Sequence, residues 1–257
     1  MELIKDIIKV DNRIDFGKFQ TFIETEAVVP DKKSDVYEII KTEGYISLKK
    51  VELTEGKVLC RGSFNYNVIY TTDDKTTVSN VDGKIDINEV IEKDNIVSDM
   101  LFPEVEHVDC TIMNERKIRV GALINLRGSI FDKQRLDIVK DVAQVEGVQK
   151  HRKEISYQDI VGIEKSESAI RDTITINTEE VQSIISLNPY AKIKETRVSD
   201  NKVIVGGVVE INPLACTYDG ELVELDKIGI DFTQFIEVPG ACEGMTEETL
   251  LSMGEFN

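Results

Sequence analysis

Tryptophan is absent from the 257 residues, aromatic side chains make up only 6% of them, and there are two histidines. A core built from this chain must therefore draw on Val, Ile and Leu. His107 and His151 have no second His, Cys or clustered carboxylate at ligand spacing. A zinc site needs three or four convergent ligands, so no metal is expected. Cys110 follows His107 by three residues, a spacing that sends the two to opposite faces of a strand. The four cysteines, Cys60, Cys110, Cys216 and Cys242, form no C-x-x-C pair, which argues against a zinc knuckle or a thioredoxin-like motif. Four in a chain of this length is also too few for a disulfide scaffold. Cys60 lies in an apolar run and reads as a small core residue, whereas Cys110, Cys216 and Cys242 are candidates for intermolecular disulfides. There is no G-x-S-x-G, P-loop, G-x-G-x-x-G or H-E-x-x-H motif. Gly206 and Gly207 sit inside an apolar strand pattern rather than ahead of a helix, and so do not form a phosphate cradle. With 48 carboxylates, close pairs such as Asp73–Asp74 and Glu247–Glu248 read as solvated faces. The expectation is a chain with no catalytic residues and no cofactor.

Cations are also in deficit. The formal net charge is −17, which repels nucleic acid and anionic lipid, so neither is an expected partner. The nearest basic cluster, Lys150 to Lys153, reads as a solvated linker. No apolar run approaches the roughly 18 residues that span a bilayer. Met1 to Val10 lacks the pattern of a signal peptide. The chain is expected to start in the cytosol and to reach any outer location by assembly. What is present is the composition of a folded chain, 41% hydrophobic and 31% charged.

The strongest positive signal is an internal duplication. Asp35 to Lys41 lines up with Glu180 to Ser186, Lys57 to Gly62 with Lys202 to Gly207, and Ile85 to Glu92 with Ile230 to Glu237. Tyr45 meets Tyr190 and Asn67 meets Asn212, all at one offset of 145 residues without a gap. The chain therefore holds two copies of one small unit. Residues 1–145 form the first repeat, with two additional strands within 105–131 and a connector at Leu136 to Gly147. Residues 146–257 form the second, shorter repeat.

Each repeat is expected to open with a short helix. Ser34 would cap Asp35 to Lys41, and Val36, Ile39 and Ile40 fall at i, i+3 and i+4. Val181, Ile184 and Ile185 repeat that face, with Thr178 as the matching cap. Strands follow from Tyr45 to Leu53 and from Val58 to Tyr70, joined by a tight turn in which Gly56 and Asn201 hold the same position. Gly62 and Gly207 mark a bulge or a close backbone approach inside the second strand. The predicted fold is mainly β (α+β): two tandem sandwich-like modules, each with one short helix.

Two features point to assembly. Leu3, Ile4, Ile7, Ile8 and Val10 make the first segment apolar. It either packs on its own module as a strand or helix, or reaches out as an arm that docks on a neighbour. Nothing after Gly240 matches the two extra strands of the first repeat, which would leave the second with an uncovered face or an open edge.

The repeat resembles the SPOCS domain of spore-forming clostridia and their relatives. The likeness rests on the order of its parts. Ala27 to Pro30 and Ile174 to Asn177 precede the segment with the Ile-Ile pair, the Lys-Val strand with its glycine follows, and Ile236 to Gly240 matches the domain's usual ending. Asp141 to Gly147 and Asp159 to Gly162 are similar to the connector. The resemblance implies a place in the spore envelope. One branch consists of morphogenetic adaptors that bind another coat protein and end in a LysM module, for which these residues leave no room. The other consists of two-repeat appendage proteins of about this chain's mass, 29.0 kDa. The resemblance therefore implies a self-assembling structural subunit of appendage, exosporium or coat, partnered by itself or a paralogue and by other coat proteins. The alternative is the adaptor. It supplies no catalytic residues.

Overall fold

The computed structural model describes residues 2–54, 57–92, 101–143, 147, 149, 151, 153–173, 175, 181–254 and 256. Among them the regular structure is entirely β. The first half contains β1 (Glu2–Val28), β2 (Val36–Thr54), β3 (Lys57–Thr72), β4 (Val78–Glu92), β5 (Leu101–Asn114) and β6 (Lys117–Ala143). The second half contains β7 (Val181–Ser186), β8 (Pro189–Ser199), β9 (Lys202–Ile211), β10 (Leu214–Thr217), β11 (Leu222–Glu224) and β12 (Ile228–Glu237). All pairings are antiparallel.

The first module stacks the sheet β2-β3-β4 against the sheet β1-β6-β5. Alternation explains which side chains meet, because successive residues of a strand point to opposite faces. From β3, Val58, Cys60, Phe64, Tyr66, Val68 and Tyr70 point inward. From β6, Ile118, Val120, Ala122, Ile124 and Leu126 face them and are wholly buried. Burial of each large apolar side chain contributes roughly 1.5–3 kcal/mol, and these two central strands supply most of them. Arg116, in the β5–β6 turn, fastens that turn to the loop before β2. Its guanidinium donates to Asp35 Oδ1 at 2.8 Å and to the carbonyls of Lys33 (2.7 Å) and Val29 (3.0 Å).

Strands β7 to β10 and β12 repeat the register of β2, β3 and β4. Leu48 opposes Gly62 and Ile193 opposes Gly207, and Lys57 opposes Glu92 as Lys202 opposes Glu237. Even the bulges recur at the offset of 145. The ladder skips Tyr37, Ile40 and Lys49 in the first copy and Gln182, Ile185 and Lys194 in the second. Gly62 and Gly207 sit opposite the third bulge, where a Cβ would meet the carbonyl oxygen of Ser47 at 2.4 Å or of Lys192 at 2.5 Å. The backbone approach expected from sequence is thus real and duplicated. Asn201 takes the left-handed conformation (φ 58°) that its turn requires. Gly56 lies outside the described residues.

The expected short helices are strands. Val36 to Lys41 opens β2, and Val181 to Ser186 is β7. The i, i+3, i+4 pattern comes from two bulges three residues apart. Each bulge inserts an unpaired residue and flips the alternation, so Val36 and Ile39 turn inward while Tyr37 and Ile40 are exposed. The cap candidate Thr178 lies outside the described residues. The expected connector from Leu136 is, as far as Ala143, the end of strand β6.

Candidate assembly surfaces

Strands β1 and β6 are each 27 residues long, but among the described residues β5 pairs with β6 only over residues 117–128. Beyond that point, residues 2–15 of β1 and 129–143 of β6 continue as a two-stranded ribbon. At about 3.3 Å per residue it extends roughly 45 Å. The apolar N-terminal segment lies here, with Ile8 opposite Leu136 and Asp6 opposite Ile138. Alternation places Ile4, Ile8, Val10, Leu136 and Ile138 on one face. Leu3 (43%), Ile4 (45%), Ile7 (60%) and Leu136 (48%) are exposed, and Ile8 and Val10 are half-buried. Lys140 Nζ bonds Asp6 Oδ2 at 3.2 Å across the ribbon, and the Asp6 carboxyl is held below its ordinary range by that bond and by the Ile7 N–H.

The second module carries its apolar face on the sheet β8-β9-β12. Ile193, Val203, Val205, Val209, Ile211 and Phe232 correspond, at the offset of 145, to Leu48, Val58, Cys60, Phe64, Tyr66 and Ile87 on the core side of the first. In the first module this face lies under a three-stranded sheet. In the second, Val205 (2%) and Ile211 (3%) are buried as well, but Val203 and Val209 are only half-buried, whereas Val58 is 2% and Phe64 0% exposed.

Two segments without helix or strand cross the rims of this face. Residues 153–173 pass over β12, where Gln234 Nε2 donates to Ser166 Oγ at 2.7 Å. That bond reproduces Thr21 Oγ1 to Glu89 Oε1 (2.8 Å) at the same offset, so 153–173 occupies the position that β1 holds in the first module. Glu164 and Ser168, both exposed, stand where β1 has the partly buried Phe19 and Ile23. Residues 241–254 pass over β8 on the other rim, where Thr196 Oγ1 donates to Glu247. Their equivalents reach into β5. The seat over the central strand, filled by β6 in the first module, holds no strand among the described residues.

The remaining candidates are spread across the molecule. Cys242 is exposed, Cys110 on β5 is half-buried, and Cys60 and Cys216 are buried. Burial pushes the Cys60 thiol up to about 11 and also raises Cys110. Cys216 sits between the modules, in a cluster with Ile69 and Ile185 flanked by Val78, Leu214 and Leu222. Asn67 Nδ2 adds a bond to the Ile185 carbonyl at 3.0 Å. This second cluster is the feature that reading the sequence missed. Its signal was Ile185, which the duplication equates with exposed Ile40. Among the described residues no three His, Cys, Asp or Glu converge as metal ligands, and no helix is long and apolar enough to cross a membrane. A cleft of about 320 Å³ lies between β2, β5 and Leu251 to Met253, with Tyr45 and Phe102 in its walls.

Geometry thus defines the class: an all-β protein made of two copies of one module, joined by an apolar cluster and carrying a projecting ribbon. The model of the SipL SPOCS domain family matches residues 35–113 and 180–252, more than half of the chain, and the chain belongs to that family. The two matched segments begin 145 residues apart, as the duplication does. No curated protein and no solved structure matches the chain. The family ties the chain to sporulation.

Proposed function

We infer that the protein is a structural, non-enzymatic subunit of the outer layers of a bacterial endospore, in an appendage, the exosporium or the coat, and that it polymerises with itself or a paralogue. Made in the mother-cell cytosol, it reaches the spore surface by assembly. The observation that carries this reading is the β1–β6 ribbon. A two-stranded ribbon with apolar side chains in water and, among the described residues, open edges is marginal alone and templates pairing with another chain. A second support is the charge of −17, which disfavours nucleic acid and anionic lipid as alternative partners.

The test is electron microscopy of the purified, tag-free protein with and without reductant, together with immunogold labelling of spores. Filaments or ribbons and label on the spore surface are expected. Loss of order on reduction would assign cross-linking to the thiols, with Cys242 the most accessible. A protein that stays monomeric under all assembly conditions and is absent from spores contradicts the reading. Stoichiometric capture of another coat protein without a homopolymer replaces it with the adaptor.

A further inference from the structure

We propose that the free edge of β1 pairs antiparallel with the same edge of a second copy of this chain, about a two-fold axis at Ile8, so that two β1–β6 ribbons join into one sheet in the order β6-β1-β1-β6. The proposal rests on the structural-subunit reading above and names the surface, register and symmetry of one contact within it.

Three observations converge on this edge. First, it is open and unbroken. Residues 2–15 of β1 pair with β6 on one side and, among the described residues, with no strand on the other. The ladder skips no residue of β1 from Glu2 to Asp15, and residues 3–7 and 9 are exposed. Second, the ribbon is the near-neutral part of an acidic chain. Residues 2–15 hold three cations and four carboxylates, and residues 129–143 hold three of each, so the ribbon carries −1 of the formal −17. Copies of so acidic a chain repel one another, and here they can approach with little like-charge repulsion. Third, the charge pattern along β1 is self-complementary. A two-fold axis perpendicular to the sheet keeps every residue on its own face, so the symmetric registers are those centred on a residue. Centred on Ile8, Ile8 falls opposite Ile8 of the second copy, Lys5 opposite Asp11 and Ile4 opposite Asn12, and no like charges meet. Centred on Asp6 or Lys9, that residue opposes itself, and centred on Ile7, Lys5 opposes Lys9. Like charges directly opposite are destabilising. Centred on Val10, the pairing runs into the bulge between Asp15 and Gly17.

Main-chain bonds along such an edge supply affinity, and the side-chain pairs select the register. A two-stranded ribbon is marginal in water, whereas three or more strands with an apolar face are stable. The two-fold axis brings the faces carrying Ile4, Ile8, Val10, Leu136 and Ile138 to the same side of the joint sheet. The contact is isologous and closes on a pair, so a filament takes a second contact elsewhere on the molecule.

The test is disulfide trapping in the full-length chain. Directly opposed residues of antiparallel strands have Cα atoms about 4.5–5.5 Å apart, within disulfide reach. In oxidised glutathione, Ile8→Cys is expected to give a linked species of twice the 29.0 kDa chain mass, with the peptide holding position 8 joined to its own copy. Ile4→Cys mixed with Asn12→Cys is expected to give a link between positions 4 and 12, and neither variant alone a self-link. Self-links at position 4 or 12 as abundant as those at position 8 overturn the proposal. So does the absence of a link at position 8 while the unaltered chain still forms filaments, and in that case the structural-subunit reading survives. If position 8 links but the unaltered chain never grows beyond pairs, the proposal stands and the polymer reading falls. If the unaltered chain stays monomeric, both fall.

Discussion

The two modules share a register and differ in continuity. In the first, β2, β3 and β4 run unbroken through a bend. In the second, each is cut in two, at 187–188, 212–213 and 225–227. Prolines fall at two of the cuts. Pro189 stands where the first module has Gly44, and Pro213 where it has Val68. Proline has no N–H for a ladder and is excluded from central strands, so β9 and β10 separate at a position where β3 continues. The freed ends form the small sheet β7-β10-β11, which seats Ile185 and Cys216 against Ile69 of the first module. One design with a few prolines added therefore gives a closed sandwich in one half. In the other it gives a joint plus a partly covered sheet.

The comparison breaks most readily at Val68. Val68→Pro copies the second module's cut into the buried centre of the first and is expected to cost about 3 kcal/mol or more, read as a fall in the denaturant midpoint. A variant of unchanged stability would mean that proline does not cause the cuts. Next is the equivalent pair Phe64 and Val209. Phe64→Ala empties a fully buried site and is expected to cost about 3–5 kcal/mol, whereas Val209→Ala, half-buried in the single chain, is expected to cost about 1 kcal/mol. Similar costs would show that the second sheet is already covered. Gly62→Ala and Gly207→Ala are the control in which the copies agree. Each new methyl would collide with a backbone carbonyl, and both are expected to lose about 1–3 kcal/mol in the same titrations.

The smallest effects belong to the turn between β3 and β4. Lys75 adopts φ 60°, and the equivalent Gly220 adopts 85°. Lys75→Gly relieves a left-handed backbone costing roughly 1–2 kcal/mol but loses the contact of Lys75 Nζ with the Tyr37 ring at 4.3 Å, worth about 0.5–1 kcal/mol when exposed. The net expectation is a gain below about 1 kcal/mol in thermal unfolding. Beside it, the Asp74 carboxylate accepts from the Thr77 and Thr72 hydroxyls (2.7 Å each) and from the N–H groups of Thr76 (2.8 Å) and Thr77 (2.9 Å). The Thr77 hydroxyl first, then the others, hold its carboxyl far below the ordinary 3.8. A carboxyl whose folded pKa is depressed stabilises above its unfolded pKa and loses that contribution as pH falls. Asp74→Asn should therefore lower the unfolding midpoint at neutral pH, and the gap to the parent should close progressively below about pH 4. A gap that is constant with pH would remove the carboxylate from the account. Asp219, in the shorter turn 218–221, serves as the comparison and is expected to tolerate the same change.

Much of this was legible in the residues, and the parts that were not have physical causes. The duplication could be read because Lys57 to Gly62 and Lys202 to Gly207 keep the same punctuation, and the fold enforces it as an identical register. The glycine approach at Gly62 and the left-handed Asn201 followed from residue type. The helices did not, because two bulges at Tyr37 and Ile40 space Val36 and Ile39 as a helix would, and a bulge leaves no residue signature. The arm residues Leu3, Ile4, Ile7, Ile8 and Val10 were visible as an apolar segment, but not their partner strand, since Leu136 and Ile138 are set among charges that read as a connector. Cys216 looked available for cross-linking. Its burial depends on a joint between modules that only the folded chain brings together.

Amide hydrogen exchange of the folded chain tests the central claim, that the two copies share a register but differ in cover, most directly. The amides of Val203 and Val209, half-buried, are expected to exchange faster than those of their buried equivalents Val58 and Phe64. Equal protection at the two pairs of positions would contradict the account.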